Sequence, residues 1–458
     1  MLIDFSITNY KSIKNTVHLN MVYNTGKKQK TNEELDEVCN NDNHTDFFKV
    51  PTGNDYGRIN VCPVMVLFGA NASGKSNILK AFLTMRAIVL NGYAENFYTP
   101  FKFSSETEKA PTKFKIIFSN DNDKEPRIYE YGIEYTAHSI KHEYLKDKDT
   151  IIFDTDSFDS IPKDLWQLFI VRRKPIMNVA LEVKNKETIS DNFEKAINDV
   201  NDFFQKLFVA DDINLAPISD DVRVKNTVKN WLFRMDMKFC DIDISQSDVR
   251  KLYKDNEKYT APTIQTIQYM KRLLEKDNQD SLVSFLFEND FPVFKLYNIN
   301  MKYAKDGFVK KDGKDNTVSI NYVKDESTGT KNLFRFLFVL IDALQNGKII
   351  IFDEIDRTIH TELLNFLFGV MQTTNLNKYG AQMICSSHNP YVIKTAGYQG
   401  TVLVEKWVDL ATHVISLSDR NYDSNIDIDV VIKDYLSGLL GGMPRVIDVF
   451  ETMEVPNV

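Results

Sequence analysis

The chain has 458 residues, 43% of them hydrophobic and 12% aromatic, enough for two or three domains with substantial cores. A formal net charge of −8 argues against an overall electrostatic grip on nucleic acid or on a membrane surface. Cys39, Cys62, Cys240 and Cys385 show no paired spacing, which predicts free thiols in a reducing cytoplasm and no zinc site.

The opening MLIDFSI alternates like a strand and does not read as a signal peptide, and no apolar run approaches the ~20 residues that span a bilayer. The chain is therefore expected in the cytoplasm, away from membranes. Residues 23–60 are polar and turn-rich and read as a long loop. VMVLF (64–68) is a short apolar run that suits a buried parallel strand. GANASGKS (69–76) follows at once. Gly69 and Gly74 allow a tight turn whose amide N–H groups point at phosphates, with a helix N-terminus behind them. Ile78, Phe82, Met85 and Val89 recur at the spacing of that helix.

From 112 to 147, three alternating runs predict antiparallel strands in a meander. Residues 155–290 read as a mainly helical insertion, with Val224, Val228, Trp231, Leu232 and Met235 on one helical face and Ile264, Ile267, Met270 and Leu274 on another. Polar loops are expected near 209–222 and 240–260, and the absence of sustained heptads excludes a long coiled-coil arm. Strand alternation returns over 293–322 around the turn KDGKDN. LFRFLFVLIDAL (333–344) has no polar face, so it predicts a buried helix. Lys348 to Phe352 reads as a second buried strand, and QMICSS (382–387) as a third.

These strands end on groups that suit nucleotide chemistry. ATP is expected on Gly69, Asn71, Ala72, Ser73, Gly74, Lys75, Ser76 and Asn77, with Lys75 reaching the β- and γ-phosphates. Ser76 and Asp353 would hold Mg²⁺, Glu354 would polarise a water for in-line attack, and His388 would sense the γ-phosphate. Each residue alone has a plainer reading: a buried acidic pair closing a strand, a histidine capping a helix. Their joint order supports the ATP site. Asp427 and Asp429 resemble a metal-binding D-x-D, but only about seventy residues follow His388, so they read as structural. The clusters at Lys27, Lys28 and Lys30 and at Lys310, Lys311 and Lys314 read as solvated loops.

The arrangement resembles the ABC-ATPase superfamily in its soluble branch with SMC and recombination-repair proteins, and most closely the abortive-infection, phage-defence ATPases (RloA, AbiL and AriA relatives). Asn9, Tyr10, Lys11, Ser12 and Ile13 look like that group's N-[FY]-[KR]-S-[FI] turn. DESTGTKNLF (325–334) sits where an ABC signature belongs. VEKWVDLATHVISLSD (404–419) and YLSGLLGGMP (435–444) are similar to its C-terminal close. The likeness covers roughly 1–150 and 290–450. It implies an ABC-ATPase-like P-loop NTPase of α/β class with an antiparallel β-subdomain, formed by 1–154 and 291–458 around the 155–290 insertion.

On the same resemblance, Ser327, Gly329 and Thr330 would act in trans on the nucleotide of a second protomer, at a helix starting near Thr330. Asp356 would be the D-loop residue, acting between protomers, and His360 matches the histidine of an L-H-P motif whose proline is here Thr361. Glu326 stands where a leucine is usual, Thr330-Lys331 replaces glycine-glutamine, and no Q-loop glutamine is found near TPFKF (99–103). The implied function is an ATP-hydrolysing subunit, dimeric or larger, of an anti-phage system that answers a phage-encoded trigger. It would control a separate TOPRIM-like or RloB-like effector, since the chain carries no nuclease motif of its own. The alternative is a DNA-associated ATPase of the SMC or repair type. Neither reading fixes whether nucleic acid is bound.

Overall fold

The computed structural model describes residues 1–23, 48–51, 58–120, 127–157, 161–162, 165–166, 175–182, 190–209, 222–234, 239–249, 264–288, 291–306, 309–311, 314–357, 359–419 and 427–442. Two compact units emerge: Met1–Phe208 with Asn346–Arg357 and Leu364–Val458, and Val209–Gln345 with Thr358–Leu363.

The first unit is built on two sheets. One runs in the order Leu207–Val209, Ile349–Phe352, Gln382–Ser387, Val64–Phe68, Thr401–Lys406, Thr412–Ser416. Its three central pairings are parallel, and the last is an antiparallel hairpin. Every residue of Val64–Phe68 and of Gln382–Ser387 is buried, as expected of strands covered on both faces. The other sheet is antiparallel, in the order Val17–Asn20, Leu2–Thr8, Thr112–Asn120, Arg127–Tyr135, Ile140–Asp147, Thr150–Asp154. It contains the meander expected over 112–147; the NDNDKEP connection lies largely outside the described residues.

The helix Lys75–Asn91 buries Ile78, Phe82, Met85 and Val89, and the Phe82 ring lies 3.9 Å from Phe5 of the antiparallel sheet. Gln382 joins the two sheets. Its side chain accepts from the Leu2 N–H at 2.6 Å and donates to the Leu2 carbonyl at 3.0 Å. A buried amide satisfied in this way fixes register between elements that apolar packing alone would let slide.

Several boundaries differ from the sequence reading. Residues 155–208 belong to the first unit, where the helices Ile176–Glu182 and Asp191–Lys206 cover the antiparallel sheet: Phe203 stacks on Phe118 at 4.1 Å, and Tyr129 donates to Asp199. The second unit is mixed, not mainly helical. Phe239–Val249, part of the segment expected to be a polar loop, is an eleven-residue strand paired with Phe291–Ala304, which also pairs with Leu282–Glu288 and Thr317–Asn321. Asp241, Asp243, Ser245 and Ser247 made it look like loop, yet they are the outward half of a period-two pattern with Ile242 buried. Two helices lie where those faces were expected, Val222–Arg234 and Ile264–Asp277. Val228 and Leu232 are buried, and Met270 and Leu274 pack on Val283 and Phe294. Met235 lies outside the described residues, as do 210–221 and 250–263. The expected long loop at 23–60 contains a two-stranded ribbon, Phe48–Pro51 with Arg58–Val61. The buried helix is Thr328–Asn346.

The turn after the first strand rests on one side chain. Asn9 is 2% exposed and holds a left-handed backbone at φ 52, a region asparagine tolerates. Its amide donates to the Thr107 and Ala110 carbonyls at 2.8 and 2.7 Å and accepts from the Phe101 N–H at 2.9 Å. We expect Asn9→Ala to lose about 2–4 kcal/mol of unfolding free energy, because several buried backbone groups lose their partner. Urea denaturation followed by circular dichroism measures this, and a loss below about 0.5 kcal/mol would show that water replaces the amide.

Candidate functional site

In the parallel sheet Phe352 lies opposite Cys385, and Ser387 opposite Phe68. Val64–Phe68 and Gln382–Ser387 end level and Ile349–Phe352 stops just short of them, so the segments that follow leave from one edge. That edge, at the carboxyl ends of the strands, is where open α/β sheets bind ligands.

The glycine-rich loop is held from outside. Gly74 sits at φ 118, and a Cβ there would lie 2.1 Å from Thr412 Oγ1. A Cβ on Gly69 would lie 2.0 Å from the Val404 carbonyl oxygen. Both glycines are thus required by the close approach of the neighbouring hairpin. Thr412, 2% exposed, is hydrogen-bonded to the Ser12 hydroxyl at 2.7 Å and to the Ser73 carbonyl at 2.8 Å. Asn77 donates to the same Ser12 oxygen at 2.7 Å. The N-Y-K-S turn, the loop and the C-terminal hairpin are in this way one hydrogen-bonded body. Ala72 is left-handed at φ 61, and the buried Ser73 hydroxyl has no partner among the described residues.

Lys75 begins the helix and donates to the Gly69 and Ala70 carbonyls at 2.7 and 2.9 Å. Burial pulls its ammonium below the ordinary lysine range, while Asp353, Glu354 and Asp356 pull it back. Those three carboxylates thus lie within electrostatic reach of the lysine. Ser386, fully buried on the middle strand, donates to Asp353 Oδ1 at 2.6 Å and accepts from the Glu354 N–H at 2.7 Å. Glu354 itself adopts φ 53, and its carboxylate is ion-paired with Arg357. Asp353 and Ser76, both accessible at this edge, offer the hard oxygen donors that Mg²⁺ takes. A cavity of about 760 Å³ opens between Ala70–Ser73 of the loop and the hairpin turn bearing Trp407.

The structure therefore brings Gly69, Asn71, Ala72, Ser73, Gly74, Lys75, Ser76, Asn77, Asp353, Glu354, Asp356 and His388 into one unit. His388 is exposed, directly after its strand, and its N–H donates to Asp356 Oδ2 at 3.0 Å. Asp356 is half-buried, and its other carboxylate oxygen, Oδ1, has no hydrogen-bond partner among the described residues. Ser327, Gly329 and Thr330 belong to the second unit. Ser327 accepts from the Thr330 N–H at 3.2 Å as the helix begins at Thr328, close to where it was expected, and a Cβ on Gly329 would meet only Ser327 Oγ, at 3.9 Å. Asp427 caps the helix Ile428–Leu436, and Asp429 pairs with Lys394, a structural use for both. Among the described residues Cys62, Cys240 and Cys385 form no disulfide, and Cys39 lies outside them. No described helix is long and apolar enough to cross a membrane. Sequence reasoning missed Ser12, Thr412 and Ser386 as supports of the site; a serine inside an otherwise apolar strand was the available signal for Ser386.

A glycine-rich loop between a parallel strand and a buried helix, with an Asp-Glu pair following another strand of the same sheet, is an arrangement that suits an AAA-type domain. The family model described as "AAA domain, putative AbiEii toxin, Type IV TA system" matches residues 64–394, and the chain belongs to that family. No curated protein matches the chain.

The hydroxyl of Ser386 orders both acidic residues, so Ser386→Ala is expected to weaken Mg²⁺ dependence of nucleotide binding by about 10–100-fold, the usual cost of losing a group behind a metal ligand. Titrating Mg²⁺ at fixed nucleotide measures it. An unchanged midpoint would separate Asp353 from the metal.

Proposed function

We propose that this chain is the ATP-binding and ATP-hydrolysing subunit of an anti-phage, abortive-infection system, and that it controls a separate effector. The observation that carries the ATPase reading is the joint placement of the Lys75 loop and the Ser386-anchored Asp353-Glu354 pair at one sheet edge. Family membership supports the defence setting.

The roles follow from chemistry. The loop amides and Lys75 hold the phosphates, and Lys75 exchanges its loop carbonyls for phosphate oxygens. Ser76 and Asp353 would hold Mg²⁺, which neutralises charge on the β- and γ-phosphates. Glu354 accepts a proton from the attacking water, and His388 stands at the γ-phosphate side. Ser327, Gly329 and Thr330 of one protomer would close on the nucleotide of another, since an exposed hydroxyl and a side-chain-free residue at a helix N-terminus suit a phosphate. ATP can then bias the assembly only as far as its affinity differs between states. The effector, TOPRIM-like or RloB-like, would be held or released by that bias, and a phage product would be the trigger.

Lys75→Ala should abolish tight ATP binding, and Glu354→Gln should keep binding while slowing turnover by roughly 10²–10⁴. Equilibrium binding and steady-state hydrolysis measure both, and a Glu354→Gln enzyme at full speed would end the catalytic assignment. Gly329→Leu should bind nucleotide without hydrolysing it, and mixing it with Lys75→Ala protomers should restore partial activity if the site is composite.

The family description favours a second reading, in which the chain itself is the toxic component. Expression with and without its genomic neighbour, under phage challenge, decides between them. The effector reading expects protection only from the pair and none from the Glu354→Gln form; growth arrest or protection from the ATPase alone would favour the toxin.

A further inference from the structure

The carboxylate of Glu354 is engaged by the guanidinium of Arg357, three residues on. The backbone sets this pairing up. Glu354 is left-handed, its N–H is held by Ser386 Oγ at 2.7 Å, and the Arg357 N–H donates to the Glu354 carbonyl at 3.0 Å, closing the short turn Ile355–Arg357. Lys75, also at this site, is occupied by the Gly69 and Ala70 carbonyls.

We propose that Arg357 is a positioning residue that masks Glu354, and that the pair must open before water can be activated. The inference rests on Glu354 being the base. The Arg357 guanidinium donates to Oε2 of the carboxylate, occupying that oxygen and holding the side chain in one orientation while the pair is closed. Once the pair opens, the water oxygen bonds to the γ-phosphorus as the bond to the β-bridging oxygen breaks. The water proton goes to Glu354 and then to solvent, leaving ADP and phosphate. The arginine side chain is 74% exposed and the glutamate 33%, so the pair is one that solvent and salt weaken. Such a mask restrains idle turnover yet yields when an incoming group competes for either partner.

The test compares steady-state hydrolysis by the full chain, with saturating Mg²⁺, for wild type, Arg357→Gln, Arg357→Lys, Glu354→Gln and the Glu354→Gln/Arg357→Gln double variant. Masking predicts that Arg357→Gln raises kcat about two- to five-fold, the range set by an exposed ion pair, with KM unchanged. Arg357→Lys should restore the slow rate, and added salt should raise the wild-type rate toward that of Arg357→Gln. In the Glu354→Gln background the arginine change should do nothing. A lower kcat, a shifted KM, or an equal acceleration without Glu354 would overturn the mask and place Arg357 on the nucleotide. If Glu354→Gln slows turnover but Arg357→Gln is no faster than wild type, the mask alone fails. If Glu354→Gln leaves turnover untouched, the catalytic assignment falls and the mask with it.

Discussion

Parallel register is the constraint on which the site depends. Parallel strands pair with their chain directions aligned, so aligning Ser387 with Phe68 and Phe352 with Cys385 places three following loops at the same edge. These loops come from positions as much as three hundred residues apart in the chain. A slip of one residue would swap the side chains packed against the two covering layers and move every loop by about 3.3 Å. The strands are buried on both faces, which makes such a slip costly. The Gln382 amide, bonded to the first strand, adds a polar lock to the apolar one.

Small hydroxyls then set the geometry within the site. Ser386 bridges Asp353 and the backbone of Glu354, while Thr412 and Ser12 brace the glycine-rich loop against the hairpin and the N-terminal turn. A buried hydroxyl can donate and accept at once, so one residue aligns two neighbours without adding charge to a site already rich in carboxylates. Gly69 and Gly74 are the counterpart: their missing side chains let the hairpin come close enough for those bonds to form.

The second unit has a different construction. Its long strand Phe291–Ala304 pairs on both sides, and the amphipathic helices Val222–Arg234 and Ile264–Asp277 supply apolar faces to a sheet too small to cover itself. The signature-like Ser327-Thr328-Gly329 sits at the start of a helix whose middle, from Leu333 to Leu344, is largely buried.

Much of this was legible in the sequence because it depends on local pattern. The G-x-x-x-x-G-K-S spacing, the apolar runs before it and before Asp353 and His388, and the period-two alternation of 112–147 each encode an element through its own residues. The apolar helix 333–344 was legible for the same reason. Tertiary structure decided what depends on pairing between distant segments. Whether CDIDISQSDV is loop or strand turns on the presence of Phe291–Ala304 beside it, since polar residues alternate in both cases. The unit boundary at 208/209 follows from which sheet the helix Asp191–Lys206 covers, and its face reads the same wherever it packs. The roles of Ser12, Thr412 and Ser386 arise from contacts across tens to hundreds of residues, and a lone serine or threonine carries no periodic signal of such a partner. Backbone propensity and apolar period act over a few residues; hydrogen bonds between loops are set only when the sheet has brought those loops together.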